Sequence, residues 1–317
     1  MSESFLLRAE DGTDLFVHRW SPNAAPRAVV QIAHGAAEHA WRYARLAGVL
    51  TEAGYVVYAN DHRGHGKTAG SAERAGIVGP DGWNTIVRDA KLLTDHLRAA
   101  HDGLPIILLG HSMGSMIAQQ YIQHWGSGLD GVILSGTASA LQPGAENLSE
   151  RVAAAIVREG LDAPSMDFAM LFAEFNEPFV AGAAEPGPTG FEWLSRDQEE
   201  VQRYVDDPWC GFPFSNGLVG DFAPGLERLW APGTENTIPK DLPVLIIAGD
   251  QDPVGECGES VHRLTERYHA AGLDVDEILY PGARHEIFNE TNRDEVHTDV
   301  LRWLEKTCGP IATASGA

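Results

Sequence analysis

The sequence predicts an α/β fold built on a mostly parallel central sheet flanked by helices. Three observations carry this prediction. Short unbroken runs of branched apolar residues recur along the chain, as in strands buried on both faces. Segments of helical spacing alternate with them, and the alternation lapses once, over a long stretch that reads as an insertion. Right-handed crossovers between parallel strands put the connecting helices on both sides of such a sheet.

The elements follow in order. Phe5 to Trp20 reads as two strands joined by a turn at Asp11 and Gly12. AVVQIA from Ala28, YVVYAN from Tyr55, PIILLG from Pro105, GVILSG from Gly131 and PVLIIAG from Pro243 are the buried strands, and VDEILYP from Val275 adds another. Met113, Ile117, Tyr121 and Trp125 fall four apart, as do Val296 and Val300, with Leu301 and Leu304 beside them, so both segments are amphipathic helices. Between about Ala140 and Asn236 no buried-strand run occurs and Pro, Gly, Glu and aromatic residues dominate. The expected organisation is a core of residues 1–139 and 237–307, an inserted, largely helical cap of residues 140–236, and a disordered tail of residues 308–317. The cap concentrates Phe, Met and Trp in MDFAMLFAEF from Met166, GFEW from Gly190 and WCGFPF from Trp209. Most of these residues are expected in the cap's own core and its seam with the sheet, and a minority in an apolar pocket.

Composition narrows the functions available. At 317 residues, with 44% hydrophobic and 21% charged, the chain is long enough for one core plus an insertion. A formal charge of -22 makes long-range attraction to nucleic acid or anionic lipid unfavourable. The opening MSESFLLRAEDGTD lacks a basic start followed by a long apolar core, and no apolar run is long enough for a bilayer. Neither a signal peptide nor an integral membrane segment is therefore expected. Cys210, Cys257 and Cys308 are odd in number and widely spaced, which fits a cytoplasmic protein and gives no recognisable zinc spacing. The sequons at Asn147 and Asn289 then carry no meaning.

GHSMG, Gly110 to Gly114, carries the chemistry. It follows the strand PIILLG and precedes an amphipathic helix, where a turn this tight excludes side chains at its ends and holds Ser112 exposed at its apex. A hydroxyl is a weak nucleophile near neutral pH and requires a base, which this topology supplies late in the chain after an acid. GDQDPVG follows the strand PVLIIAG and holds Asp250 and Asp252; GARHEIF follows the last strand and holds His285. Both loops lie at strand carboxyl ends, on the edge where ligands meet open α/β sheets. Among 13 histidines, His285 stands out because three predicted strand ends converge on it. Asp252 lies further out in its loop than Asp250 and is the better placed to reach an imidazole, while Asp250 would brace the loop. Backbone donors for an oxyanion are expected from Met113, directly after Ser112, and from Ala36 in the small-residue loop HGAAEH. His34, Gly35 and Glu38 are expected to shape that loop without touching substrate.

HGAAEHAWRY from His34, NDHRGHGKT from Asn60, GHSMGS from Gly110, AGDQDPVG from Ala248 and GARHEIF from Gly282 resemble the monoacylglycerol lipase and lysophospholipase-like branch of the α/β-hydrolases. The resemblance spans nearly all of the sheet segments in order and leaves the cap uncovered. It implies a serine hydrolase with a Ser112, Asp252 and His285 triad and an oxyanion hole of the Ala36 and Met113 amides. It also implies no cofactor, and a small ester substrate with a single medium or long acyl chain under a cap. An acyltransferase, a general carboxylesterase and a non-enzymatic binding protein on the same scaffold are the alternatives. GKT at the end of DHRGHGKT looks like a phosphate loop, but Asp61 stands where that motif needs glycine, so Lys67 is not expected to bind nucleotide. No HExxH or paired Cys and His spacing points to a metal.

Overall fold

The computed structural model describes residues 2–141, 147–180 and 187–309. Strands β1 (Ser2–Arg8) and β2 (Asp14–Trp20) form an antiparallel hairpin. Its turn closes through Ala9 N to Thr13 O at 2.8 Å and Gly12 N to Ala9 O at 2.9 Å, with Gly12 at φ +89°. Strand β3 (Ala28–Ala33), helix α1 (Ala44–Glu52), β4 (Tyr55–Asn60), α2 (Gly82–Ala100), β5 (Ile106–His111), α3 (Met113–Trp125) and β6 (Gly131–Ser135) then alternate. Among the described residues, four α-helices follow before the sheet resumes: α4 (Leu148–Glu159), α5 (Met166–Val180), α6 (Gln198–Asp206) and α7 (Asn216–Leu229). The chain ends with β7 (Val244–Gly249), α8 (Glu259–Ala270), β8 (Val275–Tyr280) and α9 (Arg293–Cys308).

The eight strands lie in the order β1-β2-β4-β3-β5-β6-β7-β8, antiparallel at the β1-β2 and β2-β4 pairs and parallel from β4 to β8. Every residue of β3, β4, β5, β6 and β7 is buried, which is why these strands read as unbroken apolar runs. Alternate residues feed two cores. Val30, Ile32, Val57, Leu109 and Ile247 pack against α1 and α9, while Val29, Val56, Leu108, Leu134 and Ile246 pack against α2, α3 and α8. In α2 the stripe Trp83, Ile86, Val87, Ala90, Leu93 and Leu97 is fully buried, each large side chain contributing about 1.5–3 kcal/mol.

β3 is followed by a connection to β4 on one side, and β5 by a connection to β6 on the other. The strand order therefore reverses between neighbours β3 and β5, and the loops after these strands diverge to leave a crevice at their carboxyl ends. No described residue between β6 and β7 joins this sheet. Cys308 closes α9 and Gly309 O accepts from Arg27 Nη2; the rest of the expected tail, residues 310–317, lies outside the described residues.

Candidate active site

Ser112 sits between β5 and α3 at φ 53° and ψ -122°, a conformation rare for an L side chain. The flanking glycines show why the turn tolerates nothing larger. A Cβ on Gly110 would stand 2.2 Å from Gly114 O, and one on Gly114 would stand 2.0 Å from Ala33 O. The turn is held by Ser112 N to Ser135 O at 2.9 Å and by Ser115 N and Oγ, which both donate to Ser112 O, at 2.8 and 2.6 Å.

The loop after β7 buries Asp252 completely, and both its carboxylate oxygens lie 2.9 Å from His285 Nδ1. With Nδ1 engaged by the carboxylate, the neutral ring carries its free lone pair on Nε2. Asp250 instead ties the two loops together, accepting from Gly282 N at 2.7 Å. Close approach of these loops depends on Gly249, where a Cβ would meet Ala283 O at 2.1 Å. His285 packs against Trp193 (ring centroids 4.9 Å apart) and against His111, the neighbour of Ser112 (4.8 Å). A Cβ on Gly136 would come within 3.1 Å of the His285 ring, while Ser112 N bonds to the carbonyl just before that glycine. Burial opposes protonation of His285, but the charge and hydrogen bond of Asp252, with Glu286 and Glu38 beyond, outweigh it and raise its pKa above 6.5.

Ala36 and Met113 line an apolar pocket together with Ser112. Met113 opens α3, so its N–H lies in the first turn, where amides lack intrahelical acceptors. In the opposite loop Gly35 N donates to Glu38 Oε1 at 2.6 Å and Ala37 N to His65 Nε2 at 3.3 Å, whereas Ala36 N has no protein acceptor among the described residues. The rest of the pocket is Met116, Leu148, Phe168, Leu171, Phe172, Phe175, Phe222, Leu226, Trp230 and Val254 among others. The aromatics of MDFAMLFAEF therefore face the serine, while Met166 and Met170 of the same helix are 66% and 60% exposed.

Several supporting residues escaped the sequence reading. Glu38, expected only to shape its loop, also accepts from Tyr43 Oη at 2.8 Å and from Arg42 Nη1 at 2.6 Å. Arg42 then forks onto Glu286 at 2.6 and 2.7 Å, joining the loop of Ala36 to the residue after His285. Burial alone would raise the Glu286 carboxyl, but Arg42 and Asn289 hold it down to about 2. Behind the same loop, His34 Nε2 accepts from His62 N and His65 Nε2 from Ala37 N, so both rings act as neutral acceptors. Ala37 itself is at φ 52°, and its carbonyl accepts from Tyr204 Oη at 2.8 Å and Gly211 N at 2.9 Å.

Residues 24–292 match the family model described as Serine aminopeptidase, S33. A monoacylglycerol lipase from Mycolicibacterium smegmatis is 32% identical over 90% of both chains. The monoglyceride lipase of Homo sapiens is 29% identical over 96% of this chain and 91% of its own. Among solved structures, a thermostable carboxyl esterase from Bacillus coagulans in complex with glycerol superposes with a TM-score of 0.88 at 31% identity, covering 97% of this chain and 99% of the other.

Proposed function

The chain belongs to the serine aminopeptidase S33 family and has the α/β-hydrolase fold, and we propose that it hydrolyses monoacylglycerols or lysophospholipid-like monoesters through an acyl-enzyme on Ser112. It is an ester-hydrolysing serine hydrolase of the monoacylglycerol lipase-like branch. Although the family description names a peptidase, these relatives are named for ester hydrolysis. The observations that support the site assignment are the Asp252 and His285 pair and a serine that opens, from a strained turn, into an apolar pocket.

In this reading His285 Nε2 takes the proton of Ser112 as its oxygen attacks the ester carbonyl. Asp252 holds the ring's orientation and balances the charge it gains, and the Ala36 and Met113 amides receive the oxyanion. The protonated His285 then gives its proton to the departing alcohol, and water repeats the attack on the acyl-enzyme. Residues 140–236 act as a cap on a core of residues 1–139 and 237–307, and its Phe168, Phe172 and Phe175 supply the wall along which an acyl chain lies. No described helix is long and apolar enough to cross a membrane.

A second reading, a general carboxylesterase, draws on the likeness to the Bacillus coagulans esterase. Assaying monoacylglycerols, lysophospholipids, short aryl esters and phthalate monoesters side by side separates the two. A sharp optimum among the long-chain monoesters is expected, and a flat profile favours the second reading. Ser112→Ala is expected to abolish turnover of every ester in the panel while remaining folded; wild-type rates in that variant refute the acyl-enzyme.

A further inference from the structure

We propose that His39, Asp207 and Cys210 form a binding site for one divalent transition-metal ion, zinc by the chemistry of its donors, which fastens the segment after α6 to the loop after β3. His39 Nε2 lies 2.9 Å from Asp207 Oδ2, and the three donor atoms all fall within 4.8 Å of one another. Imidazole nitrogen, carboxylate oxygen and cysteine sulfur are the donor types zinc accepts, at about 2.0–2.3 Å. Seating an ion among them draws the most distant donors together by roughly 1 Å. Asp207 and Cys210 project from a single closed turn, in which Cys210 N donates to Asp207 O at 3.0 Å and Trp209 N to Asp207 Oδ1 at 2.9 Å. Ligands three residues apart on such a turn are the device by which zinc knuckles present two donors to one ion. His39 completes the set from 168 residues away, which is why no linear spacing betrays it.

Arg42, the cation near this turn, is ion-paired with Glu38 and Glu286, which leaves the Asp207 carboxylate to His39 and to an ion. The His39 and Asp207 side chains are 13% and 29% exposed, so solvent reaches the donors. On binding, the Cys210 thiol releases its proton to solvent and sulfur donates as thiolate; zinc changes no oxidation state, and the fourth position is left to water. The consequence lies one residue from the proposed oxyanion donor. Tyr204 of α6 and Gly211 of the segment after it already grip the Ala37 carbonyl, and the ion would add a third tie to that loop.

Cobalt titration of the chelator-treated full chain tests the site independently of ester turnover. One equivalent of cobalt is expected to give a thiolate-to-cobalt absorption band that zinc abolishes, and zinc is expected to raise the melting temperature. Cys210→Ser should lose the band and bind zinc at least about tenfold more weakly. Cys257→Ser and Cys308→Ser should keep both, and ester turnover by metal-free Cys210→Ser should equal that of the metal-free parent. His39→Gln gives the same loss from the other side of the site should Cys210→Ser fold poorly. A parent chain without the band, a band that survives Cys210→Ser, or zinc affinity unchanged in both variants overturns the proposal.

Discussion

Replacing Gly114 by alanine probes the turn at Ser112 and the proposed oxyanion donors in one step. The new Cβ would lie 2.0 Å from Ala33 O, 2.5 Å from Ala33 C and 2.6 Å from His34 O, all backbone atoms that cannot rotate away. Cβ contacts under 3.0 Å are essentially never seen, so α3 and the end of β3 must separate by about 1 Å, the difference between 3.0 and 2.0 Å. Overpacking of this kind costs about 1–3 kcal/mol, and rigid backbone on the receiving side points to the upper end. For a chain of this size that corresponds to a fall in melting temperature of about 4–5 °C. The effect on catalysis is larger, because Met113 rides on α3 and Ala36 on the loop after β3. Moving one oxyanion donor about 1 Å from its partner should lower kcat/KM about 10²-fold or more at temperatures where the variant is fully folded. Gly48→Ala in α1, where a Cβ meets nothing within 4 Å, is the control and should leave both quantities unchanged or gain up to about 1 kcal/mol. Steady-state assays on a monoacylglycerol with thermal melts of both variants decide the matter. A folded Gly114→Ala enzyme within about threefold of the parent refutes the reasoning.

Other predictions concern charge. In the proposed mechanism catalysis needs neutral His285, whose pKa is raised by Asp252, so kcat/KM should fall on acidification with a midpoint above that of an unperturbed histidine; a profile flat to pH 5 contradicts it. Burial lowers His62 to about 3 and His65 to about 4, so the unfolded chain binds more protons than the folded one below pH 6.5. The stability these rings contribute is complete above about pH 6.5 and lost progressively toward pH 3–4. Activity should therefore vanish reversibly before the fold does, and circular dichroism coincident with activity loss would sink that ordering. Arg42→Met leaves the buried Glu38 and Glu286 without their cation and should cost about 3–5 kcal/mol at neutral pH, recovering partly on acidification as Glu286 takes up a proton; a denaturation midpoint equal to the parent's would show the network to be inert. Lys67→Ala removes a cation–π contact with Phe16, with the ammonium 4.5 Å from the ring, and a positive charge acting on Asp61 and His18, and should leave ester turnover unchanged.

How much of this was visible in the sequence follows from range. Strands β3 to β7 were legible because burial on both faces leaves continuous apolar runs, and edge strand β8 was found although its middle four residues are only half-buried. The turn at Ser112 was legible because its steric demand is local and writes glycine at both ends. The loops of Asp252 and His285 were legible from their places at strand ends, although their pairing at 2.9 Å is a tertiary fact. Arg42 with Glu286 was not legible, since the two lie 244 residues apart and each looks like an ordinary helical or loop charge. Nor was the grip of Tyr204 on the Ala37 carbonyl, because alanine gives no warning of a positive φ. The aromatic run in α5 was legible as a run, but only its packing separates Phe168, Phe172 and Phe175 facing the pocket from Met166 and Met170 facing outward.

The most direct test of the proposed chemistry is to treat the protein with a fluorophosphonate and map the adduct by peptide mass spectrometry. One modification per chain is expected, on Ser112, in step with loss of ester turnover and absent from Ser112→Ala. Complete inactivation with the phosphonate on any other residue, or full turnover with Ser112 modified, contradicts the account.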